Sequence, residues 1–271
     1  MDYKDVASQM DSEADNPTFV IIGAGNVASH LAVELSRVGC VRQVYSRTLA
    51  HAADVVAEIG HGEAIDDTAK IDENADYYII SVTDDSVAEI ASKMHGVKGI
   101  VAHTSGSVPM QALAGASDRI GVFYPLQTFS KGVALDMKEV PFFIEASDQD
   151  TKIALFNLAR KLGCMVYEAN SKQRALLHVA AVFACNFTNH LWTIADEILN
   201  SGGYDLSVLY PLLKCTLNKA MSMPPAKAQT GPAVRADMNV IQRHLDVLKG
   251  REKDIYRLLS QSIMLRHQTQ D

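Results

Sequence analysis

Cysteine is scarce in this chain and is never clustered. The 271 residues include four cysteines, Cys40, Cys164, Cys185 and Cys215, and no C-x-x-C pair. This spacing excludes a disulfide scaffold and a zinc cluster, so no metal site is expected. So few, well-separated cysteines suit a reducing compartment, and we expect a cytoplasmic protein.

Basic clusters and long apolar runs are also missing. The formal net charge is −7 without any basic run, which argues against sequence-independent binding of nucleic acid. The most apolar stretch, residues 175–185, is too short to cross a membrane and predicts a buried helix. Residues 1–16 carry five acids and one lysine but no apolar targeting core, and we expect a disordered tail there.

Two domains are predicted, an α/β domain over residues 17–170 and an all-helical domain over residues 171–271. In the first, short apolar runs alternate with helical patterns, which indicates a Rossmann-type, doubly wound and mainly parallel sheet. The strands are expected at residues 18–22, 41–45, 77–82, 99–102, 120–123, 141–145 and 165–167.

The second domain shows no convincing strand pattern. Its first helix is apolar nearly all round, so we expect it to be buried on several sides. Thr230 is a plausible N-cap of the third helix, with Pro232 in its first turn. Helices are expected at residues 174–200, 205–221, 233–249 and 252–267.

A G-x-G-x-x-A motif runs from Gly23 to Ala28 at a strand-to-helix turn. Gly23 permits a tight turn, Gly25 lets a pyrophosphate approach the backbone, and Ala28 permits close helix–strand packing. Asn26 and Val27 begin the helix, and their N–H groups would face the phosphates. In this context the motif predicts a dinucleotide site.

The end of the next strand indicates which dinucleotide. An NAD site places an acid about 20 residues after the first glycine, to accept from the ribose 2′-hydroxyl. This chain has Ser46, Arg47 and Thr48 there instead, and a guanidinium with two hydroxyls suits a 2′-phosphate. The expected cofactor is therefore NADP(H), unless Arg47 is merely a solvated surface residue.

Candidate residues for the nicotinamide half and the substrate follow later strands. Ser81, Val82 and Thr83 are expected to make backbone contacts along the nicotinamide half. Ser105 and Gly106 lie in a loop after His103, and that loop could equally be an ordinary Ser/Gly turn. Gln127 lies in a further polar loop that could line a pocket.

The long helix carries the remaining polar candidates. His178 is the best candidate proton donor or acceptor, although a hydrogen-bonded core histidine is at least as good an interpretation. At 100° per residue, Asn186 and Asn189 share one side with His178 and could line one elongated cleft.

Five motifs together resemble the NADP oxidoreductases that pair a Rossmann-like domain with a helical C-terminal domain of unknown function. More distantly, the chain resembles pyrroline-5-carboxylate reductase, ketopantoate reductase and the β-hydroxyacid dehydrogenases. The resemblance implies NADP in the crevice, a helical domain that completes the site, and a homodimer formed through the helices. The motifs are Gly23-x-Gly25-x-x-Ala28, Ser46-Arg47-Thr48, His103-Thr-Ser105-Gly106, His178-x-Ala-Ala-x-x-x-x-Asn186 and Thr230-Gly-Pro-x-x-Arg235-x-Asp237.

One departure concerns the lysine that ketopantoate reductases and β-hydroxyacid dehydrogenases carry four residues before an asparagine. Val182 and Cys185 stand at those positions here, so hydroxyacid chemistry by that mechanism is disfavoured while imine reduction stays open.

The leading hypothesis is an NADP(H)-dependent oxidoreductase that acts on a small imine, ketoacid or hydroxyacid. His178, or less favourably His103, would handle the proton with Asn186 nearby, while Ser105, Gly106, Gln127 and Asn189 would orient the substrate. One rival is a non-catalytic NADP(H)-binding redox sensor. Another is a methyltransferase that uses S-adenosylmethionine, against which Ser46-Arg47-Thr48 argues.

Overall fold

The structure is a computed structural model that describes residues 16–268; residues 1–15, where nearly all of the expected tail falls, lie outside the described residues. By its internal contacts the chain divides into two compact units, the first ending at Cys185 and the second beginning at Asn186. The last strand ends at Glu168, close to the expected boundary at residue 170, but the first unit continues into the following helix.

An eight-stranded sheet forms the centre of the first unit, in the order β3-β2-β1-β4-β5-β6-β7-β8. Neighbouring strands are parallel except β6 and β7, which are antiparallel, so the expected mainly parallel sheet is confirmed. The sequence analysis missed one strand, β3. The strands are β1 Thr18–Ile22, β2 Cys40–Tyr45, β3 Glu63–Ile65, β4 Tyr77–Ile80, β5 Ile100–His103, β6 Ile120–Pro125, β7 Pro141–Ala146 and β8 Met165–Glu168.

Helices cover both faces of this sheet. Phe19 and Ile21 of β1 enter one core cluster, whereas Val20 and Ile22 enter the other, because successive side chains of a strand point to opposite faces. α1 (Asn26–Ser36), α2 (Leu49–Ile59) and α4 (Gln149–Lys161) pack on the first face, and α3 (Asp84–Ala91) packs on the second. Burial on both faces explains why the central strands are continuous apolar runs.

Within the described residues no strand follows Glu168, and the rest of the chain is helical and looped. None of these helices combines the length and apolarity that a membrane span requires. The helices are α5 Ser171–Ala181, α6 Thr188–Ser201, α7 Tyr210–Ser222, α8 Pro225–Ala228, α9 Met238–Val247 and α10 Gly250–Gln268.

The long apolar helix differs from expectation in two ways. It is helical from Ser171 to Ser201, but the segment Val182–Phe187 between α5 and α6 is a π-helix. The expectation that it is buried on several sides was wrong, since no residue of α6 is buried in the single chain. Its large exposed apolar side chains are Leu176, Val179, Phe183, Phe187, Leu191, Trp192 and Ile198.

The expected start of the third C-terminal helix was also wrong. Thr230 does not cap it; α9 begins at Met238, and the Asp237 side chain accepts from the Val240 N–H at 3.1 Å. Ala236 immediately before this cap has φ 50°, a left-handed conformation that interrupts a helix. A carboxylate cap therefore sets the start of the helix after a turn, and Pro232 lies in that turn.

Candidate functional site

Backbone hydrogen bonds continue past the carboxyl ends of four strands and bring the predicted cofactor residues to one edge. The Ser46 N–H donates to the Ile65 carbonyl at 3.0 Å, and the Gly23 N–H donates to Tyr45 at 2.8 Å. The Ser81 N–H donates to the Ile22 carbonyl at 2.7 Å. The strand order reverses between β1 and β4, and ligands of such sheets bind in the crevice at that reversal.

The two motif glycines have different roles. Gly23 has φ 126°, and a Cβ there would lie 2.1 Å from the Ser81 carbonyl oxygen, so the turn itself requires glycine. Gly25 has ordinary backbone angles, and a Cβ there would meet no atom within 4 Å. The turn therefore leaves open space directly beside the backbone of Gly25.

The N-terminus of α1 faces that open space. No side chain caps the helix and no acid lies in its first turn, so the N–H groups of its first turn, at Asn26 and Val27, remain available to an anion. Ala28 is fully buried in the core beneath them, as close packing of helix on strand demands. These are the features that bind a pyrophosphate in the dinucleotide fold.

A loop over residues 126–135 lies against the same end of α1. The sequence analysis did not predict this contact. The Asn26 side-chain amide donates to the Phe129 carbonyl at 3.0 Å. The His30 ring contacts the Asn26 carbonyl at 2.8 Å and the Val133 carbonyl at 3.1 Å, and it meets the Phe129 ring edge-on. Asn26 thus holds this loop besides lying in the first turn of α1.

The residues expected to select the cofactor lie at the end of β2. Arg47 is exposed and, within residues 16–268, its side chain makes no hydrogen bond or ion pair. Lys93 chiefly, and Arg47 more weakly, lower the pKa of Glu89, which hydrogen-bonds Lys93. The Ser46 hydroxyl accepts from the Thr48 N–H at 3.3 Å. The guanidinium is therefore free to meet an anionic ligand.

Ser81, Val82 and Thr83 connect β4 to α3, as predicted. The nearly buried Ser81 hydroxyl accepts from the Thr104 hydroxyl at 3.1 Å, which links the ends of β4 and β5. Thr83 is the N-cap of α3, and its hydroxyl contacts Ser86 at 2.9 Å rather than a backbone N–H. These contacts hold the loop backbone in place, so its free groups can face a ligand.

The loop after β5 is built around a buried histidine. His103 is fully buried, and its Nδ1 accepts from the Ser105 N–H at 3.1 Å. Its Nε2 makes no hydrogen bond to any described residue, and the Pro109 carbonyl acts in the direction of a higher His103 pKa. Burial, together with the charge of Arg174, lowers the pKa of His103 to about 4. His103 is therefore neutral near pH 7 and is better suited to shaping the loop than to exchanging protons.

Gly106 brings this loop against two aromatic side chains. A Cβ at Gly106 would lie 2.7 Å from His178 Nδ1 and 2.8 Å from Tyr124 Cζ. The Tyr124 hydroxyl and His178 Nδ1 are 3.1 Å apart, and their rings meet edge-on. Burial raises the pKa of Tyr124 to about 12, so it is a neutral phenol at physiological pH. His178 is only partly buried, and its Nε2 makes no hydrogen bond within the described residues.

A buried ion pair fixes α5 to this loop, and the sequence analysis missed both of its members. Arg174 is fully buried and forms an ion pair with Glu145 of β7. Its guanidinium also donates to the Ser105 carbonyl at 3.1 Å and to the Val108 carbonyl. The signal available was weak: Arg174 follows the polar residues of the first helix turn, and Glu145 stands near the end of an apolar strand.

The remaining substrate candidates, Gln127, Asn186 and Asn189, are all exposed. Gln127 is exposed, and its side-chain oxygen accepts from the Thr128 N–H at 2.8 Å. Asn186 and Asn189 are exposed in the second unit. The rotation of 100° per residue that aligned them with His178 does not apply through the π-helical segment. Among residues 16–268, no group of three or more His, Cys, Asp or Glu side chains could hold a metal.

Comparison with known proteins agrees with this fold. Residues 140–263 match the family model of a domain of unknown function, DUF2520. The chain is 41% identical to the "putative NADP oxidoreductase" of Bacteroides fragilis, with a TM-score of 0.87 over 93% of this chain and 99% of that one. No curated protein shows significant similarity.

Two further solved structures share the fold at low identity. A pyrroline-5-carboxylate reductase from Coxiella burnetii is 15% identical, with a TM-score of 0.55 over 94% of this chain and 98% of that one. An imine reductase variant from Myxococcus stipitatus in complex with NAD+ is 16% identical, with a TM-score of 0.55 over 93% of each chain. At these identities the likeness concerns the fold alone.

Proposed function

We propose a function for this chain from the family to which it belongs, the NADP oxidoreductases that carry a DUF2520 domain. The chain would transfer a hydride between NADP(H) and a small metabolite that is an imine, a ketoacid or a hydroxyacid. The observation that carries this proposal is the open N-terminus of α1 at Gly25, one strand away from the unpaired Arg47.

The described residues fit NADP along the carboxyl edge of the sheet. Arg47 at the end of β2 would hold the 2′-phosphate, with Ser46 and Thr48 beside it. Gly25 and the first turn of α1 would hold the pyrophosphate. Neighbouring strands are about 4.8 Å apart, so the end of β5 lies about 14 Å from the end of β2, on the side that the nicotinamide half would reach. The bound nicotinamide would supply or accept the hydride.

His178 is the side chain we assign to proton transfer. Its partly exposed ring lies against the loop after β5, and its Nε2 is free to exchange a proton with a substrate oxygen or nitrogen. His103 is the weaker candidate because it is fully buried and neutral. Ser105, Gly106, Gln127, Asn186 and Asn189 stay candidates for contacts with the substrate.

Substitution of Arg47 tests the cofactor assignment. We expect Arg47→Ala to weaken NADPH binding about 10- to 100-fold, because a hydrogen bond to a charged group contributes about 1.5–3 kcal/mol. NADH lacks the 2′-phosphate, so its affinity should change little. Calorimetric titration with both nucleotides measures the two affinities.

An arginine within β2 provides the matched control. Arg42 forms an ion pair with Asp72 at 2.8 Å, so its guanidinium is already engaged. Arg42→Ala should leave the ratio of NADPH to NADH affinity unchanged. Equal affinity of the unmodified protein for both nucleotides would contradict the NADP assignment. Saturable NADPH binding without turnover of any imine, ketoacid or hydroxyacid would favour the redox sensor instead.

We further propose that the chain forms a homodimer through its helices. The helical stretch from Ser171 to Ser201 exposes seven large apolar side chains, and an exposed apolar surface of this kind is typical of an interface. Leu176 is 72% exposed, so Leu176→Glu should leave the single chain folded.

The four cysteines are free and suit the cytoplasm, where we place the protein.

Sedimentation velocity tests the dimer. The unmodified protein should sediment at twice the mass of the chain, and Leu176→Glu should shift it towards the monomer. Val133 is similarly exposed, at 61%, but lies outside the helices, so Val133→Glu should keep the dimer. A monomer at all concentrations before any substitution would exclude the proposed assembly.

A further inference from the structure

The His178 ring is held on two sides, by Tyr124 and by Gly106. The Tyr124 hydroxyl lies 3.1 Å from Nδ1, and Gly106 lies so close that a Cβ there would be 2.7 Å from the same nitrogen. Tyr124 is in turn fixed on β6 and contacts the Phe143 ring at 6.4 Å between centroids. Nδ1 is therefore enclosed by Tyr124 and Gly106, and Nε2 is the ring nitrogen that can contact a substrate.

We propose that Tyr124 is the positioning residue for His178, with Gly106 as the surface against which the ring packs. This inference rests on the proposed function, since it assumes that His178 exchanges a proton at Nε2. The hydroxyl of tyrosine both donates and accepts. In the neutral ring the hydroxyl would donate to Nδ1, which keeps the ring proton on Nε2. In the imidazolium it would accept from the Nδ1–H, so the contact survives both protonation states of the ring.

A phenol suits this role better than a carboxylate would. A carboxylate beside Nδ1 would favour the charged imidazolium and hinder release of its proton. Tyr124 stays neutral because burial raises its pKa to about 12. It therefore orients the imidazole through Nδ1 without adding a charge beside the ring.

The neighbouring charges do not replace this contact. Arg174, the cation nearest to this cluster along α5, is fully buried and paired with Glu145. His103 in the loop beneath is neutral, and Asp84 accepts a hydrogen bond from Ser107. Among the described residues, the Tyr124 hydroxyl is the hydrogen-bond partner of the His178 ring. Removal of one oxygen atom should therefore release the imidazole.

Nitrogen-15 NMR of histidine-labelled protein tests the proposal without a substrate, because the two ring nitrogens report the tautomer directly. In the unmodified protein with a neutral His178 ring, we expect one tautomer with the proton on Nε2. Tyr124→Phe keeps the ring and removes the hydroxyl, and it should give a mixture of both tautomers. Gly106→Ala keeps the hydroxyl but displaces the ring, and it should give the same mixture.

The chain contains a matched tyrosine–histidine pair for the control. The Tyr256 hydroxyl lies 2.7 Å from His244 Nδ1 in the second unit. Tyr256→Phe should alter the His244 signals and leave those of His178 unchanged. If Tyr124→Phe leaves the His178 tautomer and titration as they were, Tyr124 does not position the ring.

Turnover separates this inference from the proposed function. With 1-pyrroline or a 2-oxo acid that the unmodified protein reduces with NADPH, Tyr124→Phe should lower kcat about 10- to 100-fold with little change in KM, part of the 10²–10⁴ that acid–base catalysis supplies. It should also shift the pH profile of kcat, which a structural role would not do. The affinity of the Tyr124→Phe variant for NADPH should equal that of the unmodified protein. If the unmodified protein does not bind NADPH, the proposed function is overturned, but the NMR result still tests the role of Tyr124.

Discussion

Replacement of Arg174 by methionine is expected to lower the free energy of unfolding by about 3–5 kcal/mol, the usual cost of leaving one member of a buried ion pair alone. The side chain is fully buried and bonds Glu145 and the carbonyls of Ser105 and Val108. Methionine has a similar length but no donor, so the Glu145 carboxylate loses its cationic partner and keeps only the Ser171 hydroxyl, while two carbonyls lose a donor. The loop of Ser105 should loosen with the fold.

Denaturant unfolding followed by far-UV circular dichroism measures this effect. Fluorescence is less suitable, since the one tryptophan, Trp192, lies in the second unit. Arg257→Met is the control: Arg257 pairs with Asp254 at 2.8 Å on an exposed surface, and its loss should cost at most about 1 kcal/mol. An equal shift for both variants would contradict the structural role of Arg174.

The pair should also behave non-additively. Replacing Glu145 with glutamine in the Arg174→Met background removes the uncompensated charge, because a neutral amide costs less to bury than a carboxylate. The double variant should therefore recover part of the lost stability. A double variant that is less stable than Arg174→Met by the full cost of a second deletion would show that the two side chains act independently.

The strands could be predicted from sequence where the local pattern was strong. Central parallel strands are buried on both faces, so runs such as Thr18–Ile22 and Tyr77–Ile80 are almost wholly apolar and easily recognised. β3 has three residues, Glu63–Ile65, which is too short for any period to show. Its place depends on pairing with β2, a contact distant in sequence.

The position of the glycine turn at the edge of the sheet was predictable for the same reason, whereas the burial of Arg174 was not. A glycine motif at a strand-to-helix turn determines the local backbone conformation. In the structure, Gly23, Ser46 and Ser81 lie at the same edge of the sheet. Arg174 was overlooked because a charged residue on a helix is usually solvated. Its burial depends on Glu145 and on a loop 66 to 69 residues away.

The long helix shows a different limit of sequence reasoning. Its apolar residues indicate a surface that favours contact with other apolar groups, but composition does not say which groups those are. The pattern suggested burial on several sides, and the single chain leaves Leu176, Phe183 and Trp192 exposed. The π-helical segment likewise has no local signature, yet it alters the rotation on which the alignment of His178 with Asn186 depended.

Gly25→Ser should abolish most NADPH binding while the protein stays folded. The backbone of Gly25 has φ −79° and ψ −173°, which any residue adopts, and a Cβ there meets no atom within 4 Å. Serine is also a good N-cap, so the thermal midpoint should stay unchanged or rise. Its side chain would occupy the space at the first turn of α1 and accept from the N–H groups that would hold the pyrophosphate. We expect NADPH and NADH affinity to fall together by about 100-fold, equivalent to about 3 kcal/mol.

Gly23→Ala provides the contrast within the same motif. Its Cβ would lie 2.1 Å from the Ser81 carbonyl oxygen at φ 126°, so this variant should lose thermal stability as well as binding. Calorimetric titration and thermal unfolding of both variants separate the two roles. If Gly25→Ser binds NADPH as well as the unmodified protein, the dinucleotide does not approach the backbone at α1. Arg47 would then have no 2′-phosphate to meet, because the two sites lie on adjacent strands and depend on one bound orientation.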